Sequence, residues 1–299
     1  MASLGLSDEC LARRYRKPGK DCPGTGEMGS GRDRLGDPFA HIGRLEFYTP
    51  GGEIGMKAFW RICSAEWKKT QWWLVGVLAM AGPALGVLAG NTVTLQHSGM
   101  DDWTSMFAMT VQQYGWLFFP IIVGVFAALV CRYEHVNGGW KHLLALPVSR
   151  THVYLAKGLM VAFCIALCQL ALLLFFVAAG QVKGLDGDIP WGMFLQSVSA
   201  GWVAALPLAA LQLWVSFVWR SFGVPLAINV IFTLPSIFAL NSETFAPYYP
   251  WAQPVQAMIP AENGMFQIRT ETLTFVIISG FLLAAVGGWQ HFLRREVTE

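Results

Sequence analysis

The chain has 299 residues and a formal net charge of +2, and 54% of its residues are hydrophobic while only 13% are charged. Soluble domains carry about 25% charged residues, so much of this protein's surface does not face water. The mean hydropathy of +0.45 argues against an ordinary soluble domain and favours a bundle of membrane helices, each of about 20 apolar residues. We expect no nucleic-acid partner.

Residues 1–55 differ in composition from the rest of the chain. They are rich in Gly, Asp and Arg and lack the apolar run of a signal peptide. We interpret them as a disordered cytoplasmic extension. Because the pattern from Lys57 onward looks like a fresh start, we also expect translation to begin at Met56, which an intact-mass measurement of the natively expressed protein would test.

The next segment, residues 57–70, mixes aromatic and charged side chains, as in Trp60-Arg61. This mixture is typical of an amphipathic helix at the cytoplasmic membrane interface. Trp67, Trp72 and Trp73 would anchor the segment in that interface. A plain juxtamembrane stretch remains the alternative.

Six apolar segments follow, and none carries a charged residue in its middle. Each is long enough to cross the hydrocarbon core of a bilayer. Residues 56–299 are therefore predicted to form an all-α integral membrane domain, in which an amphipathic interfacial helix precedes six transmembrane helices. The predicted spans are 72–89, 116–131, 154–179, 193–219, 222–240 and 273–292.

The distribution of Lys and Arg among the short loops predicts the orientation of the spans. The first loop on one side of the membrane has no basic residue but contains Asp101 and Asp102. The loop between the second and third spans holds several: Arg132, Lys141, Arg150 and, at its edge, Lys157. Both termini are therefore predicted to be cytoplasmic.

The motifs of common catalytic sites do not occur in the sequence. There is no Gly-x-Ser-x-Gly, no His-Glu-x-x-His and no phosphate-binding Gly-x-x-x-x-Gly-Lys-Ser/Thr, so we expect no enzymatic activity and no bound cofactor or metal. A cation site at His97, Asp101 and Asp102 is an alternative to a solvated loop. Cys164 and Cys168 share a helical face, and we interpret them as packing residues rather than as a metal or redox pair.

Only neutral polar groups lie in the middle of the spans. Such groups usually form interhelical hydrogen bonds, and the lack of a charge relay argues against a self-powered ion pump. The fourth span is the richest in them and is our candidate for the bundle interior or for a translocation seam, formed by Gln196, Ser199, Gln212 and Ser216.

The loop between the second and third spans contains a short amphipathic pattern. Asn137-Gly138-Gly139 breaks the preceding helix, and apolar residues then recur at helical spacing until Pro147. A short helix with a bulky apolar face is costly to leave in water. It must therefore lie on the membrane or dock into a partner.

This loop resembles the coupling segment of type-2 ABC exporter permeases. These show an acidic residue at the end of the second span, then glycine, an amphipathic helix and a Leu-Pro-Val-Ser-Arg-like turn. Glu134, Gly138-Gly139, Trp140 and the segment 146–150 match that order. The loop looks most like the bacitracin-resistance and lantibiotic-immunity branch, whose outer segment before the last span resembles residues 248–254 here. The resemblance covers about residues 56–299.

The resemblance implies that the loop docks onto a separate ATP-binding cassette ATPase, which binds ATP and Mg²⁺. Four apolar residues would enter a groove on that subunit, and two charged residues would orient the helix. The apolar residues are Trp140, Leu143, Leu144 and Leu146, and the charged ones are Glu134 and Arg150.

The resemblance also implies a multi-pass protein of the bacterial cytoplasmic membrane that pairs with a second or related permease. Its function would be to export an amphipathic or peptide-like substrate, as in multidrug or peptide-antibiotic resistance. The alternative is a non-transporting membrane scaffold that anchors an envelope or maturation complex. An intramembrane enzyme is the third reading, against which the lack of a catalytic set argues.

Overall fold

A computed structural model describes residues 53–91, 102–135, 139, 148–185, 187–219, 221–242, 244–259 and 270–294, all within the unit formed by residues 48–299. No strand occurs among these residues. The described helices are α1 Glu53–Lys69, α2 Trp72–Asn91, α3 Asp102–Gln113, α4 Phe119–His135, α5 Arg150–Lys183, α6 Trp191–Val218, α7 Gly223–Thr233, α8 Ser236–Leu240, α9 Gln253–Met258 and α10 Thr270–Arg294. A π-helical turn, Tyr114–Phe118, joins α3 to α4, and a 3₁₀ turn, Ala246–Tyr248, precedes α9.

Among the described residues, six helical segments are long and apolar enough to cross a membrane: α2, α3 with α4, α5, α6, α7 with α8, and α10. For this part of the chain, the prediction of an all-helical fold with six segments able to span a membrane is confirmed. The second span begins at Asp102, well before the expected residue 116. Trp103 and Phe107 are buried in this added stretch and pack against the rings of Phe176 and Phe194, so tertiary packing extends the helix beyond its most apolar part.

Pro120 in the second span leaves a backbone carbonyl without its usual helical donor. Proline has no N–H to give to the carbonyl four residues earlier, that of Trp116. The helix adopts the π-helical turn at this point, and the Ser236 hydroxyl donates to Trp116 O at 3.2 Å. A side chain from the fifth span therefore satisfies the backbone of the second, as a membrane interior requires.

Asn229 on α7 is the centre of a buried polar cluster between spans. Its Oδ1 accepts hydrogen bonds from Gln212 Nε2 at 2.9 Å and from Trp251 Nε1 at 2.8 Å. Its Nδ2 donates to Pro120 O at 2.9 Å. The amide lies so close to α4 that a Cβ at Gly124 would collide with it. Asn229 thereby links α4, α6, α7 and the segment that precedes α9.

Residues 251–258, between the fifth and sixth spans, pack largely inside the bundle. Trp251, Val255 and Met258 are buried there; that residues 248–254 belong to an outer segment, as the resemblance implies, stays a prediction. Met258 lies where a Cβ at Gly201 of α6 would be. A helix as short as α9 cannot cross a bilayer. It packs between other helical segments because glycines there, Gly115 and Gly201, leave room for Val255 and Met258.

Replacing Asn229 with Leu should lower the stability of the purified protein in detergent. The change removes the partner of two buried donors and of the carbonyls of Pro120 and Ile121, and we expect a loss of about 1–3 kcal/mol. Fluorescence-detected size exclusion after heating measures the effect. Asn241→Leu, at an exposed amide whose bond to Ile237 O is local, is the control. Equal midpoints for the two variants would contradict the prediction.

Candidate coupling site between the second and third spans

Four charged side chains from three helices meet beside the loop that joins the second and third spans. Lys157 Nζ of α5 lies 2.7 Å from Glu66 Oε2 of α1 and 2.8 Å from Glu134 Oε2 of α4. Lys69 Nζ of α1 lies 3.0 Å from Glu66 Oε1 and 3.1 Å from Glu134 Oε1. Each carboxylate thus bridges both lysines, and the four residues form a closed, electrically neutral arrangement that we term the charge ring.

Lys157 is completely buried, with 0% of its surface exposed. Its ammonium group has three N–H donors, and it has three oxygen neighbours: the two carboxylates and Val130 O at 2.9 Å. Removing one partner from a buried ion pair typically costs about 3–5 kcal/mol, because the remaining charge is left uncompensated. The charge ring therefore fixes α1, α4 and α5 relative to one another.

The direction in which α1 packs explains why its charges reach the other helices. The Phe59 ring lies 5.8 Å from the His152 ring, and the Trp67 ring lies 5.4 Å from the Phe163 ring. Both residue numbers increase together, so α1 runs beside the first part of α5 in the same direction. Glu66 and Lys69, three residues apart, share the inner face of α1.

The electrostatics of the ring favour the ionised form of Glu66. Burial raises the pKa of its carboxyl, but the positive charges of Lys157 and Lys69 outweigh that effect and hold the pKa below its ordinary value. The Glu66 carboxylate therefore stays charged at neutral pH and can bridge both lysines.

The residues at the two ends of the loop each bind the carboxyl-terminal end of another span. His135, the last residue of α4, lies with Nε2 2.8 Å from Ser216 O on α6; because a carbonyl can only accept, Nε2 donates. Arg150, the first residue of α5, donates from Nη1 to Leu293 O of α10 at 2.9 Å. Helix carboxyl termini have unpaired carbonyls and favour such donors. A displacement of the loop would therefore be felt by α6 and α10 as well as by the charge ring.

The structure locates only some of the residues predicted to form the coupling site. Glu134 lies in the charge ring, and Arg150, the first residue of α5, donates to the last turn of α10. The four apolar residues, Trp140, Leu143, Leu144 and Leu146, lie outside the described residues. Their docking onto a partner, and the orientation of the loop helix by Glu134 and Arg150, stay predictions.

The four residues of the predicted seam do not come together within one chain. Gln212 and Ser216 are buried in the bundle, whereas Gln196 and Ser199 are exposed nearer the start of α6. Gln212 forms the interhelical hydrogen bond with Asn229 described above. The proposed cation site at His97 and Asp101 lies outside the described residues, and Asp102 begins α3 with its side chain exposed.

Sequence reasoning missed the roles of Glu66, Lys69, Lys157 and His135. In the sequence, Glu66 and Lys69 are two of several charged residues in the segment 57–70, and Lys157 lies at the edge of a loop. The available signal was the position of Lys157, since α5 is a span whose apolar stretch surrounds this lysine. An ionisable residue in such a place requires a partner of opposite charge.

Comparison with protein families identifies a family for this chain. A model described as ABC-2 family transporter protein matches residues 64–236, more than half of the chain. The matched range includes all four members of the charge ring. No curated protein and no solved structure matches the chain.

Replacing Lys157 with Met should strongly destabilise the protein, by about 3–5 kcal/mol, because two buried carboxylates would then face each other with only Lys69 between them. The thermal midpoint in detergent measures the loss. Lys183→Met is the matched control, since that lysine is exposed at the other end of α5. Combining Lys157→Met with Glu66→Gln should cost less than the sum of the two changes; simple additivity would contradict the ring.

The depressed pKa of Glu66 predicts a pH dependence of stability. Its contribution is fully present above the unfolded-state pKa of about 4.3 and is lost as the pH falls through the lower folded-state pKa. Thermal midpoints between pH 3 and 7 should therefore decline less steeply on acidification for Glu66→Gln than for the wild type. Glu271→Gln, at an exposed carboxylate on α10, is the control and should keep the wild-type slope.

Proposed function

The chain belongs to the ABC-2 family of transporter proteins, and from this premise we propose that it is the permease of an exporter driven by a separate ATPase subunit. Membership of the family implies a permease subunit that works with an ATPase partner in a membrane. Export as the direction of transport, and the loop between the second and third spans as the point of coupling, are our additions.

The observation that carries the proposal is the anchoring of both ends of this loop. Glu134 and His135 end α4, and Arg150 begins α5; together they bind α1, α6 and α10. A push on the loop would reach these helices through ion pairs and hydrogen bonds of 2.8–3.1 Å. The loop therefore has the connections that transmission of force from a partner to the spans requires.

In this proposal Trp140, Leu143, Leu144 and Leu146 insert into a groove on the ATPase. ATP and Mg²⁺ are bound and ATP is hydrolysed by that subunit, because the sequence has no phosphate-binding Gly-Lys-Ser/Thr loop of its own. The loop and both termini then lie in the cytoplasm of a bacterial cell, in line with the Lys and Arg of the loops.

A second permease, identical or related, completes the transporter in this proposal. The fifth and sixth spans bury few of their side chains within one chain, and large apolar residues such as Phe238, Phe275 and Leu283 are exposed on them. Lipid or a second permease must cover these faces. Alternating access between two permeases would move the substrate from the cytoplasm or inner leaflet to the outside.

The proposed substrate is amphipathic or peptide-like. Lys157 in the third span is paired within the charge ring. The polar residues in the middle of the other described spans are neutral, and those of α6 lie among apolar residues. A pathway lined by apolar and uncharged polar side chains would suit a molecule with both apolar and uncharged polar parts better than a small ion. Resistance to peptide antibiotics is the corresponding biological role.

Co-purification from native membranes tests the coupling assignment. Trp140→Ala combined with Leu144→Asp should abolish association of an ATPase with the chain. Trp219→Ala, at an exposed tryptophan that ends α6, is the control and should leave association intact. His135→Ala combined with Arg150→Gln should keep the ATPase bound but change the ATP turnover of the complex, because the groove contact remains while its connection to α6 and α10 is lost.

Two outcomes would contradict the proposal. If no ATPase accompanies the wild-type chain, a non-transporting scaffold becomes the better reading. If the loop variant and the Trp219 control retain the ATPase equally, the apolar residues of the loop are not the docking surface.

A further inference from the structure

The face of α1 opposite the charge ring carries a repeated pair of an aromatic and a basic residue. Trp60-Arg61 and Trp67-Lys68 are seven residues apart, which is two helical turns or about 10.5 Å along the axis. All four side chains are exposed, and so is Ser64 between the two pairs. Glu66 and Lys69, by contrast, point into the charge ring. The helix thus has an inner face bound to the spans and an outer face whose side chains are exposed among the described residues, with Trp67 at its edge in contact with Phe163 and Trp72.

We propose that this outer face, defined by Trp60, Arg61, Ser64, Trp67 and Lys68, binds the headgroups of anionic phospholipids. Arg61 and Lys68 would bind the phosphate groups, and the two indole rings would lie at the level of the headgroups. Arginine and lysine form charge-assisted hydrogen bonds to phosphate oxygens. Tryptophan is enriched at membrane–water interfaces, where its ring lies at the level of the headgroups.

The connection of α1 to the first span places this face at the membrane. Only Thr70 and Gln71 separate α1 from α2, which begins its apolar course at Trp72. The Trp72 ring lies 4.1 Å from the Trp67 ring, and Trp72 Nε1 donates to Trp67 O at 2.9 Å. The end of α1 is therefore held against the entry of a span.

The surface of the neighbouring helix indicates lipid at the same depth. Between its contacts with α1 at His152 and Phe163, α5 exposes Leu155 and Leu159, which are 49% and 54% exposed. Trp60 on α1 is 64% exposed and Trp67 is 47% exposed. Large apolar side chains on two adjacent helices are costly in water, but they are stable where hydrocarbon meets headgroups.

The charge of the face selects anionic over neutral lipid. Among the described residues, no carboxylate pairs with Arg61 or Lys68, since the nearby Glu66 is committed to the ring. Cations next to a membrane attract anionic lipids, with an effect of about fivefold in affinity for each Lys or Arg. Two such residues on one face correspond to a preference of about 25-fold.

This proposal does not depend on the exporter assignment, because its test measures lipid binding and not transport. The full-length chain would be purified and exposed to mixed micelles of phosphatidylglycerol and phosphatidylcholine, and native mass spectrometry would count the bound lipids. The wild type should retain phosphatidylglycerol preferentially. Arg61→Gln combined with Lys68→Gln should reduce that preference by about 25-fold, and Arg61→Lys should largely preserve it.

The matched control is Arg132→Gln combined with Arg294→Gln. It removes two exposed cations from the last turns of α4 and α10. If anionic lipid were attracted only by the total positive charge, this control would weaken its binding as much as the α1 variant does. A preference lost in the α1 variant and retained in the control supports a site on α1. In nanodiscs with 30% phosphatidylglycerol, the thermal stabilisation of the wild type over pure phosphatidylcholine should also shrink as salt is raised, because salt screens exposed charges.

Three results would overturn the proposal: no preference of the wild type for phosphatidylglycerol, equal losses in the two double variants, or an α1 face that crosslinks to a co-purified protein while the lipid preference is absent. The first result removes anionic lipid as the ligand. The second result attributes the lipid preference to the overall positive charge of the protein, and the third assigns the α1 face to a protein partner.

Discussion

A lysine ammonium that leaves water needs hydrogen-bond acceptors and a negative charge nearby. Lys157 donates to Glu66 Oε2 of α1 and to Val130 O of α4, and forms an ion pair with Glu134 of α4. Because each of the two carboxylates also binds Lys69, none of the four charges can move alone without exposing another to an apolar environment. The position of α1, the end of the second span and the start of the third are thus set together. The loop between these spans is attached directly to that arrangement.

The remainder of the bundle follows a different rule, since its interior contains neutral polar groups. Pro120 leaves the carbonyl of Trp116 without its α-helical donor, and Ser236 donates to that carbonyl, while Asn229 donates to Pro120 O. Asn229 also receives Trp251 from the segment before α9. In a medium without water these few bonds decide which helices are neighbours. The α1 helix differs from the spans on both of its faces, since its inner face carries paired charges and its outer face carries exposed basic and aromatic residues.

Hydropathy predicted the class of the fold and the number of spans because each span must be apolar over most of its own length, which is a local property. It placed the start of the second span too late. Residues 102–115 are less uniformly apolar, and their helix is stabilised by rings from α5 and α6 such as Phe176 and Phe194. The burial of α9 was missed for a related reason. Its six residues include one proline and two glutamines, and their burial depends on small residues of other helices, such as Gly115 and Gly201, which only folding brings beside them.

The sequence by itself therefore determined that this is a helical membrane protein with six spans and a distinctive loop after the second, and that Glu134 and Arg150 border that loop. Only the tertiary structure decided which charges pair. Glu66 and Lys157 are 91 positions apart, and no periodicity relates residues on helices that meet only after folding. Ion pairs and hydrogen bonds between helices depend on distances of about 3 Å, and these arise from packing, whereas the apolar character of a span is already written in consecutive residues.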